Sequence, residues 1–238
     1  MIQSEKIEYS NGSDVFEGVI AWDDNFQGKR PVVMVVHNYL GQFEFDENKA
    51  IELAKLGYLG FAIDMYGKGR RGNSPEQGQA LMGELNANRG LLLERIQLAL
   101  QTAKELELVD DTKVGGIGFC FGGKCLLDLA RSGAEINGIV SFHGVYDKPG
   151  IHHQVSIKGS VLICHGWEDP LALPEATVEL ADELTELKAD WQIHAYGHAA
   201  HAFTNPKVNL RDEGKYFHEK SDKRSWKSML NFFEEVFE

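Results

Sequence analysis

Gly116-Ile117-Gly118-Phe119-Cys120-Phe121-Gly122-Gly123 is the stretch that decides how the rest of this chain is read. An apolar run leads into a cysteine with a glycine two residues away on either side, Gly118 and Gly122. The spacing G-x-nucleophile-x-G marks a strand that turns at once into a helix and presents the central side chain on a sharp bend. Serine is the usual occupant, and here it is Cys120. Such a bend forces strained dihedrals on the nucleophile, and the glycines let neighbouring backbone approach without a Cβ clash. The thiol then sits at a helix N-terminus, where the dipole favours a thiolate. A nucleophile of this kind needs a base, an orienting acid and donors for an oxyanion elsewhere in the chain.

Outward from the bend, strand-like and helix-like patterns alternate. Val114 to Phe119 reads as the strand entering it and Gly122 to Ser132 as the helix leaving it. Upstream, Val15 to Trp22 reads as a strand with a partner around Ile7 to Ser10. Val32 to Val36 and Tyr58 to Ile63 are continuous apolar runs, as expected of strands buried on both faces. Asn48 to Leu56 has helical spacing and stops at Gly57, and the clearest helix after the loop Gly67 to Pro75 runs from Gly90 to Leu106. Downstream come strands at Ile139 to Phe142, Val161 to Cys164 and Trp191 to Tyr196. Pro174 opens a helix reaching about Lys188, and Asp222 to Phe237 is an amphipathic terminal helix. Repeated strand-helix alternation implies a mostly parallel sheet with helices on both faces, an α/β fold. No repeat or linker interrupts it, so residues 1–238 are expected to form a single domain.

Composition excludes several function classes. The 238 residues carry 43% hydrophobic side chains, enough for a substantial core, and a net charge of −12, which argues against nucleic acid or an anionic membrane as partner. The start lacks an apolar signal-like stretch, and no apolar run approaches spanning length. The three cysteines form no disulfide framework. A soluble, cytoplasmic monomer or homodimer is expected, with no cofactor.

In such a sheet, function sits on loops at the carboxyl ends of strands. There fall His37-Asn38-Tyr39, Asp64-Met65-Tyr66, Cys120, His143, the turn His165 to Asp169, and the loop His198 to His201. The order nucleophile, acid, histidine fits Cys120, Asp169 and His201. His198 is the competing histidine in that last loop. His194, His198 and His201 offer no convincing zinc set, and Cys125 and Cys164 read as core.

These pieces resemble the dienelactone hydrolase family of α/β-hydrolases, over nearly the whole length. Beyond the bend, the matching segments are His37 to Gly41, Asp64-Met65-Tyr66-Gly67-Lys68-Gly69 and Ser141-Phe142-His143-Gly144. They continue with His165-Gly166-x-x-Asp169, His201-Ala202-Phe203-Thr204-Asn205-Pro206 and Arg224-Ser225-Trp226. The resemblance implies an α/β-hydrolase fold and a Cys-His-Asp triad, with Cys120 as nucleophile, His201 as base and acid, and Asp169 orienting the imidazole. It also implies an oxyanion hole built from the backbone N–H groups of Phe121 and Tyr39. Asn38, Tyr66, Arg70, Arg71 and His143 are the expected substrate contacts. The stretch between Ser141 and Val161 is short, with His152-His153-Gln154 its polar feature, so no large lid is expected.

Two positions depart from the family pattern. Asn38 stands where the archetype has a glutamate that takes part in activating the thiol, and Glu44 is the nearest carboxylate that could replace it. Asn205 stands where the archetype has an arginine that clamps a substrate carboxylate, and an amide cannot make that bidentate contact. The expected activity is cleavage of a small ester, lactone or thioester through an acyl-cysteine. Two other classes remain open: a redox-sensing thiol protein and a non-catalytic binding protein on the same scaffold.

Overall fold

The computed structural model describes residues 1–150 and 156–238, and His152, His153 and Gln154 lie outside the described residues. Contacts within the chain group it into two compact units, Met1–Ile117 and Gly118–Glu238. Its main sheet is eight-stranded and mostly parallel.

The first unit opens with β1 (Ile2–Ser10) and β2 (Val15–Asp23), an antiparallel hairpin. Then come β3 (Arg30–Val36), α1 (Glu44–Ala54), β4 (Leu59–Ala62), α2 (Pro75–Ala87) and α3 (Arg89–Glu105). Strand order here is β1-β2-β4-β3, with β4 antiparallel to β2 and parallel to β3. Val32 to Val36 are fully buried, which explains why that strand reads as an unbroken apolar run. The helix expected from Asn48 starts earlier, at Glu44, because the Asp46 carboxylate caps the backbone N–H of Phe43 at 3.0 Å.

β5 (Val109–Phe119) begins five residues ahead of the expected Val114. Its early half, Asp110 to Lys113, is polar and only partly covered, so it carries no apolar pattern to reveal it. In the second unit follow α4 (Phe121–Arg131), β6 (Gly138–Phe142), β7 (Ser160–Gly166), α5 (Pro174–Glu186) and β8 (Trp191–Tyr196), with β6-β7-β8 all parallel. A two-stranded hairpin, β9 (Asn209–Leu210) and β10 (Lys215–Tyr216), precedes α6 (Glu219–Val236). Strands of two residues leave no periodicity to read, and the sequence gives no sign of this hairpin.

Every residue of α4 is buried, including Lys124, Asp128 and Arg131. These charges are paired: Arg131 meets Glu183 at 2.8 Å and Asp128 at 3.3 Å, and Lys124 meets Asp147 at 2.7 Å. Burying charge is tolerated only with such partners. The helix is thereby fixed to α5 and to the loop after β6.

The turn into α4 depends on close backbone approach. A Cβ on Gly118 would lie 2.3 Å from the Gly122 carbonyl oxygen, and one on Gly123 would lie 2.2 Å from Ser141 Oγ. The first obstacle is backbone and cannot swing aside. Gly118→Ala is therefore expected to destabilise the fold by about 1–3 kcal/mol, or more if the turn cannot shift. Chemical denaturation checks this, and an unchanged midpoint would show that the turn has slack that its geometry denies.

Candidate active site

Cys120 occupies the bend with φ 56° and ψ −113°, a left-handed conformation that costs a non-glycine residue about 1–3 kcal/mol and persists only where the surroundings impose it. The surroundings do impose it. The Cys120 N–H donates to the Phe142 carbonyl on β6 at 3.0 Å, and its carbonyl accepts from the N–H groups of Gly123 and Lys124 in the first turn of α4. The thiol is half-buried, while Cys125 and Cys164 are wholly buried, and none of the three is in a disulfide. Burial pushes the Cys164 thiol up to about 12. Cys120 moves the other way: burial alone would raise it, but the charge and hydrogen bond of His201 and the backbone N–H of Phe121 hold it below its ordinary value.

Asp169 lies in the turn after β7, shaped by its own N–H donating to the Gly166 carbonyl at 3.0 Å. Its Oδ1 accepts from Leu171 N–H at 2.8 Å, and its Oδ2 lies 2.8 Å from His201 Nδ1. A carboxylate at that nitrogen fixes Nδ1 as the proton carrier and leaves Nε2 for the hydrogen bond with the Cys120 side chain. Burial works against a charged imidazole here. Cys120 and Asp169 outweigh it, so His201 is raised above its usual value. Both shifts act in the direction of a thiolate facing an imidazolium.

The unforeseen hairpin holds His201 in place. The His201 N–H donates to the Gly214 carbonyl at 2.9 Å, and the His201 carbonyl accepts from Tyr216 N–H at 3.0 Å. Gly214, at φ 63°, packs so closely on Pro170 that a Cβ would stand 2.8 Å from the proline ring. The clamp therefore reaches both loops that carry the pair. His198, the competing histidine, has an exposed side chain paired with Glu168 at 3.0 Å.

His143 follows β6, buried, with its ring centroid 5.1 Å from that of His201 and its Nε2 2.8 Å from Thr204 Oγ1. His194 bonds Ser228 at 3.1 Å, away from His201's partners. Among the described residues no group of three His, Cys, Asp or Glu could hold a metal ion, and no helix is long and apolar enough to cross a membrane.

The other expected contacts belong to the first unit and are described within it. His37 is buried, which lowers its pKa to about 4 and keeps it neutral. Its Nε2 accepts from Met65 N–H at 3.1 Å, so its Nδ1 carries the proton, donated to the Asn38 carbonyl at 2.6 Å. The Asn38 side chain accepts from Leu40 N–H at 2.8 Å, and Tyr66 Oη donates to the Tyr39 carbonyl at 2.9 Å. The Tyr39 loop is thus secured from three sides. Arg70 forms a two-pronged pair with Glu84 at 2.7 and 2.9 Å. Arg71 directs its donors to the carbonyls of Gln42, Gly67, Arg70 and Glu17, to the Gln42 side chain and to Asp64. Its guanidinium works as a clamp on the loop. Glu44 begins α1.

The family model for the dienelactone hydrolase family matches residues 16–237. A solved structure described as m3DLH is 36% identical, with TM-score 0.95, over 100% of this chain and 99% of its own. A dienelactone hydrolase-like promiscuous phosphotriesterase from metagenomic libraries is 34% identical, with TM-score 0.93 and the same coverage. A Yersinia pestis protein provisionally named a carboxymethylenebutenolidase is 26% identical across 92% of this chain and 84% of its own. With the matched model running through nearly all of a mostly parallel sheet and its flanking helices, the chain belongs to the dienelactone hydrolase family and has the α/β-hydrolase fold.

Proposed function

We propose that this hydrolase cleaves small esters, lactones or thioesters by transferring the acyl group to Cys120. The observation that carries this reading is His201 hydrogen-bonded on one side to Asp169, at 2.8 Å, and on the other to Cys120. In the proposed cycle the thiolate attacks the carbonyl carbon and the π electrons move onto oxygen. The N–H of Phe121, which already bonds the sulfur, is placed to receive that oxyanion. Preorganised donors of this kind stabilise the transition state by about 3–4 kcal/mol each. Collapse expels the alkoxide, which takes the proton from the His201 imidazolium. His201, now neutral, removes a proton from water, the hydroxide attacks the acyl-cysteine, and the thiolate leaves with the acid product released. Asp169 stays ionised throughout and fixes the tautomer.

Uncharged substrates fit this site better than carboxylates. Asn205 spends its side-chain oxygen on Lys207 N–H at 3.0 Å, closing a local turn where the archetype has its arginine clamp. Trp167 and Leu171, flanking Asp169 in the chain, are both 48% exposed and offer apolar surface beside it. The redox-sensor reading leaves the Asp169–His201 pair without a task. Free cysteines agree with a cytoplasmic setting.

Cys120→Ala, His201→Ala and Asp169→Asn are each expected to lower turnover of p-nitrophenyl acetate by about 10³-fold or more, far from additively when combined. Cys125→Ala and Cys164→Ala leave it within about twofold, since neither sulfur reaches the reacting atoms. Full activity in Cys120→Ala would sink the assignment. A panel adding a lactone, an acyl thioester, a carboxylate-bearing lactone and an activated phosphotriester defines the substrate class. The neutral carboxylic esters are expected to lead, and a clear preference for the carboxylate-bearing lactone would contradict the argument from Asn205.

The charge state makes a separate prediction. Cys120 ionises below its ordinary value, so alkylation by iodoacetamide stays fast as pH falls below that of a free thiol, about 8.5, and declines only when the thiolate takes its proton. His201→Ala removes the balancing charge and is expected to move that midpoint upward. A midpoint at the free-thiol value in the unaltered enzyme would exclude the ion pair.

A further inference from the structure

We propose that His143 is a positioning residue for the general base: wedged between Phe119 and the His201 loop, its ring fixes the orientation in which His201 serves Asp169 and Cys120 together. The proposal rests on the acyl-transfer reading above. The backbone gives the first indication. His143 has φ 39°, a left-handed conformation that a bulky side chain adopts only under constraint, at the residue just past β6. The constraint is visible: His143 N–H donates to the Cys164 carbonyl on β7 at 2.9 Å. The strain aims an imidazole into a place that another backbone conformation would not reach.

Once there, the ring lies beside the strand that leads to the nucleophile and against the loop that carries the base. Its centroid lies 6.1 Å from that of Phe119, the residue before the nucleophile. It meets His201 edge-to-face at 5.1 Å and 67°, and Phe203 edge-to-face at 5.3 Å and 80°. Its Nε2 bonds Thr204, three residues beyond His201 on the same loop. The other nitrogen, Nδ1, is buried with no hydrogen-bond partner among the described residues. An orphaned N–H is rarer in proteins than an orphaned acceptor, so Nδ1 is the bare nitrogen and Nε2–H donates to Thr204. Burial, then the charge on His201, hold the His143 imidazole neutral. A neutral ring against an imidazolium adds no second positive charge beside it.

The groups facing His201 are then accounted for from each side. Asp169 comes from the loop after β7, Cys120 from the bend and His143 from the end of β6. The hairpin contributes backbone, while its cations are engaged elsewhere, Lys215 with Glu213 at 2.9 Å and Arg211 over the Tyr216 ring. Loosening His143 therefore frees a side of the His201 ring that neither Asp169 nor Cys120 restrains.

Two sets of variants test this. His143→Asn keeps a residue that tolerates the left-handed backbone and deletes the ring; Thr204→Val deletes the hydrogen bond, and Thr204→Ser restores it. His143→Asn is expected to lower kcat for p-nitrophenyl acetate at least about tenfold with KM within about twofold, and to raise the midpoint of Cys120 alkylation as the ion pair loosens. Thr204→Val shifts both in the same direction by less, and Thr204→Ser returns them towards the unaltered enzyme. A folded His143→Asn with normal kcat and an unmoved midpoint overturns the proposal. So does a loss of kcat with an unmoved midpoint, which would mark simple packing. Should His143→Asn fail to fold, the Thr204 pair decides alone, and serine behaving like valine overturns it. Alkylation is read without an ester, so absent ester turnover would end the acyl-transfer reading and leave the midpoint to judge His143.

Discussion

The backbone of Cys120 is the constraint on which the site depends. A left-handed residue between a strand and a helix stores strain, and here three features hold it: the hydrogen bond from Cys120 N–H to Phe142, the closed first turn of α4, and the contact between Gly118 and Gly122. α4 can supply that rigidity because it is buried on every side and its charges are paired with α5 and the loop after β6. The sulfur is presented from a rigid platform, and the helix start lends it a backbone N–H. A nucleophile on a mobile loop would pay the ordering cost at each turnover.

Electrostatics then decide between two opposed effects at that sulfur. Burial disfavours a thiolate, as Cys164 demonstrates in the same unit, where burial outweighs the hydrogen bond from Tyr196 and the thiol is pushed up to about 12. At Cys120 the compensation comes from His201, whose own value Cys120 and then Asp169 raise. Neither charge would persist alone in such a place. The pair exists in a pH window bounded below by protonation of the thiolate and above by loss of the imidazolium proton. Cys120 is lowered and His201 raised, so both bounds move outward and the window widens.

Much of this was legible in the sequence, for physical reasons that differ by element. Buried parallel strands such as Val32 to Val36 are apolar throughout and announce themselves, and the bend at Cys120 is legible because its close contacts admit only glycine at Gly118. The polar first half of β5 carries no such pattern. The hairpin that clamps His201 escapes notice because its strands are two residues long and it holds His201 through backbone hydrogen bonds, while Gly214, which its approach to Pro170 requires, reads as an ordinary turn glycine. Arg71 reads from sequence as a loop cation that could meet an anionic substrate; the structure adds that its donors are spread over loop carbonyls and Asp64. His143 reads as a strand-end histidine, and its contact with His201 arises from a fold-level approach of two loops.

The central claim is that an acyl group resides on Cys120 during turnover. Intact-mass and peptide mass spectrometry of enzyme quenched during reaction with a slowly deacylating p-nitrophenyl ester tests it most directly. The account predicts a mass increase equal to the acyl group on the peptide containing Cys120, with p-nitrophenolate released in a burst equal to the enzyme present. Steady turnover with no adduct, or an adduct on any other residue, would contradict it.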